Sequence, residues 1–78
     1  MKLSSLIAYF RTYPSSIVYR EGLGGKKSII LLPGIAGRLQ LHSLLNRDVI
    51  RWEFDNSVLY GRLIVVLKEK ENEETQDG

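Results

Sequence analysis

The apolar residues of this chain fall into short runs, and turn-forming residues separate one run from the next. Four runs rich in β-branched, aliphatic or aromatic residues span positions 16–20, 28–32, 49–54 and 58–67. The first ends at Gly22, the second at Pro33-Gly34 and the third at Asp55-Asn56-Ser57. Glycine reaches positive φ, proline lacks a backbone donor, and short polar side chains bond to nearby backbone, so all three favour turns. The spacing predicts a mainly β domain of short strands.

Two segments have helical spacing instead. Between Leu3 and Tyr13 an apolar residue recurs every three or four positions, and Pro14 follows. This predicts a short amphipathic helix that Pro14 ends. Residues 35–45 carry leucines at similar spacing, although Gly37 lowers helix stability by about 1 kcal/mol relative to alanine. We expect a short internal helix there.

The run at 49–54 alternates most cleanly and predicts two distinct faces. Its inward side chains would be Ile50, Trp52 and Phe54. Its outward side chains would be Val49, Arg51 and Glu53. Trp52 is therefore expected in the core, not on a surface where it could stack on a nucleic-acid base. The run at 28–32 is aliphatic without alternation, which predicts a strand buried on both faces.

A core of this size needs support from outside the chain. The 78 residues allow one domain, and a chain this short buries only about 60% of the surface that it exposes when unfolded. Small domains commonly add disulfides, a metal or a second chain, but this one has no cysteine and a single histidine, His42. Association with a second copy is the remaining means, and we expect no metal and no cofactor.

Catalytic groups in a recognisable arrangement are missing from the sequence. His42, Ser43 and Asp48 supply the residue types of a hydrolase triad, but no nucleophile elbow accompanies them. The glycine-rich segment 22–27 could cradle a phosphate, yet a β run follows it where a nucleotide loop needs a helix. We read its glycines as turn residues and expect no enzyme.

Charge is distributed unevenly along the chain. Residues 1–67 hold nine Lys/Arg against four Asp/Glu, a net +5, whereas residues 68–78 hold two against five, a net −3. A basic body suggests an anionic partner such as nucleic acid. The tail has no apolar residue and is expected to be disordered. No run approaches the ~20 apolar residues of a membrane span and no signal-peptide pattern is present, so we expect a soluble, cytoplasmic protein.

One ordered set of segments resembles the AbrB/MazE/SpoVT family of small DNA-binding regulators. The segments are Val18-Tyr19-Arg20-Glu21-Gly22, Ser28-Ile29-Ile30-Leu31-Leu32-Pro33, residues 35–39, residues 47–54 and residues 61–67. The likeness covers about residues 16–68: a strand, a basic glycine turn, a strand ending in proline, a short helix and a closing hairpin. The family's Gly-Asp step reads Arg47-Asp48 here, and extra residues fall in the turns, where insertion costs little.

The resemblance implies a fold, a partner and a set of contact residues. It implies a swapped-hairpin β-barrel formed by an intertwined homodimer, which binds duplex DNA as a transcriptional regulator through one basic face. The residues it points to are Arg20, Lys26, Lys27 and Arg38. The chain would then divide into a helical extension at 1–15, the DNA-binding domain at 16–67 and an acidic tail at 68–78. The family's antitoxin branch implies a toxin partner for the tail, but the tail lacks apolar anchors and fits a solubilising segment better. The N-terminal helix could instead be the surface for a toxin, another protein partner or the dimer.

Two other classes remain open from the sequence. Residues 44–63 resemble the first half of an Sm-like motif, which would make an RNA-binding ring, although no second half follows. An SH3-like protein-interaction module would also fit a small β domain. Light scattering separates them, since the first reading predicts a dimer and the second a hexamer or heptamer.

Overall fold

The computed structural model describes residues 1–10 and 12–69 of the chain. Its elements are α1 (Leu3–Ile7), β1 (Ser16–Glu21), β2 (Ser28–Leu31), α2 (Ile35–His42), β3 (Val49–Asp55) and β4 (Arg62–Leu67). The predicted mainly β class is confirmed, with one helix before the strands and one short helix between them. Neither helix in this part of the chain is long and apolar enough to cross a membrane.

The four strands form one mixed sheet in the order β2-β1-β4-β3. β1 and β2 form an antiparallel hairpin, and β3 and β4 form a second one. The two hairpins join through parallel pairing of β1 with β4, in which Val18 lies beside Ile64. The last strand therefore occupies a central position, and β2 and β3 are the edges.

One face of this sheet packs against α1, α2 and the segment that follows α2. The buried cluster comprises Leu3, Leu6, Ile7, Ile17, Ile30, Leu32, Leu41, Leu44, Val49, Leu63, Val65 and Leu67. α1 is held to the body by backbone bonds, since the Leu3 amide donates to the Arg47 carbonyl at 2.9 Å and the Val49 amide donates to the Met1 carbonyl at 2.7 Å. The N-terminal helix thus contributes to the same core as the strands.

Both helices are shorter than predicted. α1 ends at Ile7, not at Tyr13, and Phe10 lies beyond the helix with its ring against β3. Its ring stacks on Phe54 with a centroid distance of 5.0 Å and meets Trp52 edge-on at 6.5 Å. α2 ends at His42, before the predicted end at residue 45.

A bulge in β3 reverses the predicted faces of Val49 and Ile50, whereas the residues after the bulge keep the predicted alternation. Val49 pairs with Leu67 and Arg51 with Val66, so Ile50 is the extra residue between them. Val49 is therefore buried and Ile50 exposed, the reverse of the prediction. Trp52 lies on the helix-covered face, but β3 is an edge strand and 47% of the residue remains exposed, so the prediction that it belongs to the core is wrong.

β2 also departs from its predicted environment. Ile30 is fully buried, but its neighbours Ile29 and Leu31 are 62% and 65% exposed. They point to the sheet face that no helix covers, so this strand is buried on one face only. The predicted disorder of the tail concerns residues that lie, from position 70 onward, outside the described part of the chain.

Candidate functional site

The sheet face opposite the helices has no cover within the described chain, and we call it the open face. Strand register arranges its side chains in three rows across the sheet. The rows are Leu31–Ser16–Arg62–Asp55, then Ile29–Val18–Ile64–Glu53, then Arg20–Val66–Arg51. The exposed aliphatic side chains lie on the β2 side of the first two rows, which we call the aliphatic end, and the third row, the basic end, carries two arginines.

The aliphatic end of the open face is centred on the first hairpin. Ile29 and Leu31 lie on edge strand β2, and Val18 and Ile64 continue the apolar surface inward. Val18 and Ile64 are half-buried, whereas the two β2 residues are mostly exposed. Apolar side chains clustered on one flat face mark an interaction surface more often than isolated ones do.

The basic end forms a groove of about 450 Å³, which we call the basic groove. Its cations are Arg20 near the end of β1, Lys27 just before β2, and Arg51 immediately after the β3 bulge. Arg20 and Arg51 both pair with Val66, one from each side of β4. With neighbouring strands about 4.8 Å apart, their backbones lie roughly 10 Å apart across the groove.

The groove cations have no carboxylate partner among residues 1–10 and 12–69. The ion pairs formed there join Lys2 to Asp48 at 3.3 Å and Arg47 to Glu21 at 2.9 Å. The one carboxylate that lines the groove is Glu53. Three cations facing one carboxylate give the groove a positive balance, and exposed charge of this kind attracts anions.

Asp55, at the other end of the open face, is held in its charged form. The Ser57 hydroxyl donates to Asp55 Oδ1 at 2.6 Å and the Ser57 amide donates to the same atom at 2.9 Å. These two bonds, with a smaller contribution from the charge of Arg62, lower the pKa of Asp55 below its ordinary value of 3.8. Asp55 therefore stays negative and screens Arg62, which leaves the basic groove as the cationic end of the face.

The structure brings together part of the predicted contact set and adds one residue to it. Arg20 and Lys27 line the basic groove, and Lys26 is exposed beside Lys27 in the same turn. Arg38 lies elsewhere, because its Nε atom donates to the Leu32 carbonyl at 3.4 Å and it lines a separate depression on the surface. Arg51 was not predicted, although its outward position in the alternating run was the available signal.

Two of the three residues with hydrolase-triad chemistry bond to groups outside that set. Ser43 Oγ donates to the Gln40 carbonyl at 2.6 Å, and Asp48 pairs with Lys2. His42 is exposed at the end of α2. In the described ranges, no three His, Cys, Asp or Glu side chains come close enough to hold a metal ion.

No protein-family model, curated protein or solved structure matches this chain. Function must therefore be argued from the chemistry of the site, since a fold by itself hosts many functions.

Proposed function

We propose that the protein is a non-enzymatic DNA-binding regulator of AbrB type, which binds duplex DNA as a homodimer through the basic groove. The observation that carries the proposal is the convergence of Arg20, Lys27 and Arg51 on an uncovered sheet face without ion-pair partners in the described chain. Phosphates supply the missing negative charge, and binding them releases counterions from the DNA. The guanidinium forks of the two arginines match phosphate oxygens in a bidentate manner.

The cations provide affinity and orientation for the DNA, and Glu53 places one negative charge among them. Arg20 and Arg51 approach the groove from strands on either side of β4, so they would hold phosphates on both sides of Val66. Glu53 repels phosphate but can accept a hydrogen bond from the amino group of cytosine in the major groove. DNA would therefore lie with its backbone over the arginines and base edges towards Glu53.

The aliphatic end of the open face supports the dimer in this proposal. Ile29 and Leu31 expose most of their surface in a chain that is short for a self-sufficient core. Covering them with the same surface of a second copy buries apolar area twice by one symmetric contact. The order hairpin, short helix, hairpin is also the order that the resemblance to the AbrB family implies.

A salt-dependent titration of duplex DNA tests the proposal. The full chain should lose affinity steeply with salt. The logarithm of the binding constant should fall against the logarithm of the salt concentration with a slope of about −0.9 per phosphate contact. Arg20→Ala, Lys27→Ala and Arg51→Ala combined should flatten that slope by about three units per protomer. Circular dichroism verifies that the variant is folded.

A matched pair of single arginine substitutions provides the control. Arg51→Ala removes a groove cation, whereas Arg38→Ala removes the same charge from the separate depression. We expect Arg51→Ala to weaken binding and reduce the slope by about one unit, and Arg38→Ala to leave the slope unchanged. Equal behaviour of the two variants, or a triple variant that binds as well as the full chain at every salt concentration, refutes the groove as the DNA site.

A further inference from the structure

The chain leaves the sheet at the same end as the basic groove. β4 ends at Leu67, whose carbonyl accepts a hydrogen bond from the Gly22 amide at 2.8 Å. The next residue is fixed on both sides: the Lys68 amide donates to the Asp48 carbonyl at 2.8 Å, and Arg47 Nη2 donates to the Lys68 carbonyl at 2.8 Å. The point of exit is therefore set by the fold.

The direction of exit is towards the basic turn between β1 and β2. Glu69 lies over Gly22, so closely that a Cβ atom on Gly22 would be 2.6 Å from Glu69 Oε2. Gly22 opens the turn that carries Lys26 and Lys27. Val66, one residue before the end of β4, lies between Arg20 and Arg51 in the groove. The described chain thus ends at Glu69, against the turn that carries the groove cation Lys27.

The segment that begins there has the charge opposite to that of the groove. Residues 70–78 carry one lysine and the carboxylates of Glu71, Glu73, Glu74 and Asp77, a net −3. Nine extended residues reach up to about 30 Å. From Lys27 at the start of β2 to Arg51 in β3 the groove spans four strands, or roughly 14 Å between its outer backbones. The segment has both the length and the charge to meet Arg20, Lys27 and Arg51 together.

We infer that the acidic segment 70–78 occupies the basic groove of its own chain when no DNA is bound. The regulatory consequence rests on the proposed DNA-binding function: the segment acts as an internal competitor that DNA phosphates must displace. A groove that is free for only about one-tenth of the time lowers the apparent affinity about tenfold. Because the contact is between exposed charges, salt weakens it over the range in which the Debye length falls below about 10 Å.

Nuclear magnetic resonance of the full chain without DNA tests the contact directly. Glu71→Gln, Glu73→Gln and Glu74→Gln together bring the net side-chain charge of the segment from −3 to zero without shortening the chain. At low salt we expect the backbone amide resonances of Arg20, Arg51 and Val66 to differ between this variant and the parent, and the difference to vanish at about 1 M salt. A second variant, with residues 70–78 in permuted order and unchanged charge, should match the parent.

Two results would overturn the inference. One is that the groove resonances are the same in the parent and the neutralised variant. The other is that their difference grows with protein concentration, which would make a segment from another molecule the occupant.

DNA titration then separates this inference from the proposed function. The neutralised variant should bind duplex DNA about tenfold more tightly than the parent at low salt, and with a steeper salt dependence, because binding no longer displaces the segment. If neither protein binds DNA, the proposed function fails while the groove resonances still decide the contact. If both bind equally and the groove resonances coincide, DNA binding stands and the contact is refuted.

Discussion

The ring of Phe54 in β3 lies over Gly61, the residue before β4, and leaves no room for a side chain there. Gly61 has a φ of 85°, in the left-handed region that glycine adopts without strain. Its carbonyl accepts two bonds from Ser15, one from the amide at 2.9 Å and one from the hydroxyl at 3.0 Å. Gly61 therefore links the second hairpin to the residue before β1. It also leaves room for the Phe54 ring, which stacks on Phe10.

Replacing Gly61 with alanine should destabilise the fold. A left-handed conformation costs about 1–3 kcal/mol for a residue with a side chain, and displacement of the Phe54 ring adds to that cost. Urea unfolding followed by Trp52 fluorescence measures the loss. Gly24→Ala is the matched control, because a Cβ atom at Gly24 meets no atom within 4 Å, and we expect a change within about 0.5 kcal/mol. Equal stability of the two variants would contradict the role assigned to Gly61.

Gly37 should be required even though it weakens its helix. A Cβ atom at this position of α2 would overlap the Leu31 carbonyl oxygen, so the glycine lets the helix approach β2. Gly37→Ala gains about 1 kcal/mol of helix propensity but forces the helix away from the strand. We expect a net loss of stability in thermal unfolding. A rise in the melting temperature would show that the close approach is dispensable.

Sequence patterns predicted the helices and strands better than the pairing and burial of their residues. The turns at Gly22 and Pro33 and the strand composition indicated four strands and two helices, because these signals are local. The β3 bulge could not be predicted from the sequence. An alternating run gives no sign of an extra residue at Ile50, because the register is set by pairing with Leu67 and Val66. The groove could be predicted only in part: Arg20 and Lys27 lie near each other in sequence, whereas Arg51 joins them only through the pairing of both β1 and β3 with β4.

The open face predicts a specific effect on assembly. Ile29→Asp with Leu31→Asp places two charges where the proposed dimer buries aliphatic side chains, so light scattering should give a monomer. The control is Ile35→Asp with Leu39→Asp, two residues of α2 that are somewhat more exposed but lie off the open face. That variant should keep the mass of the parent. Dimers of unchanged stability in both variants would exclude the open face as the interface.

Ser57 should control the titration of Asp55. Removing the hydroxyl in Ser57→Ala takes away the strongest of the bonds that lower the pKa of Asp55, so that pKa should rise towards 3.8. A lowered pKa in the folded state stabilises the protein above pH 3.8, and this contribution disappears as the pH falls through the folded-state pKa. The stability difference between parent and variant should therefore be present near neutral pH and vanish in acid.

Carboxyl chemical shifts measured against pH follow the pKa of Asp55 directly. Ser43→Ala is a suitable control, since the Ser43 hydroxyl bonds to a carbonyl and not to a carboxylate. It should leave the Asp55 titration curve in place. An Asp55 curve that Ser57→Ala does not move would mean that the turn does not set its charge.

The parallel pairing of β1 with β4 sets the order in which the chain can fold. Each hairpin closes a short loop, whereas β1 and β4 meet only when distant segments come together, as in the contact of Ser15 with Gly61, 46 residues away. Local pairs form in microseconds, but distant ones wait on the entropy of closing a long loop. The hairpins can therefore exist as separate units before β1 pairs with β4. During that interval each hairpin exposes an unpaired strand edge to any neighbouring molecule.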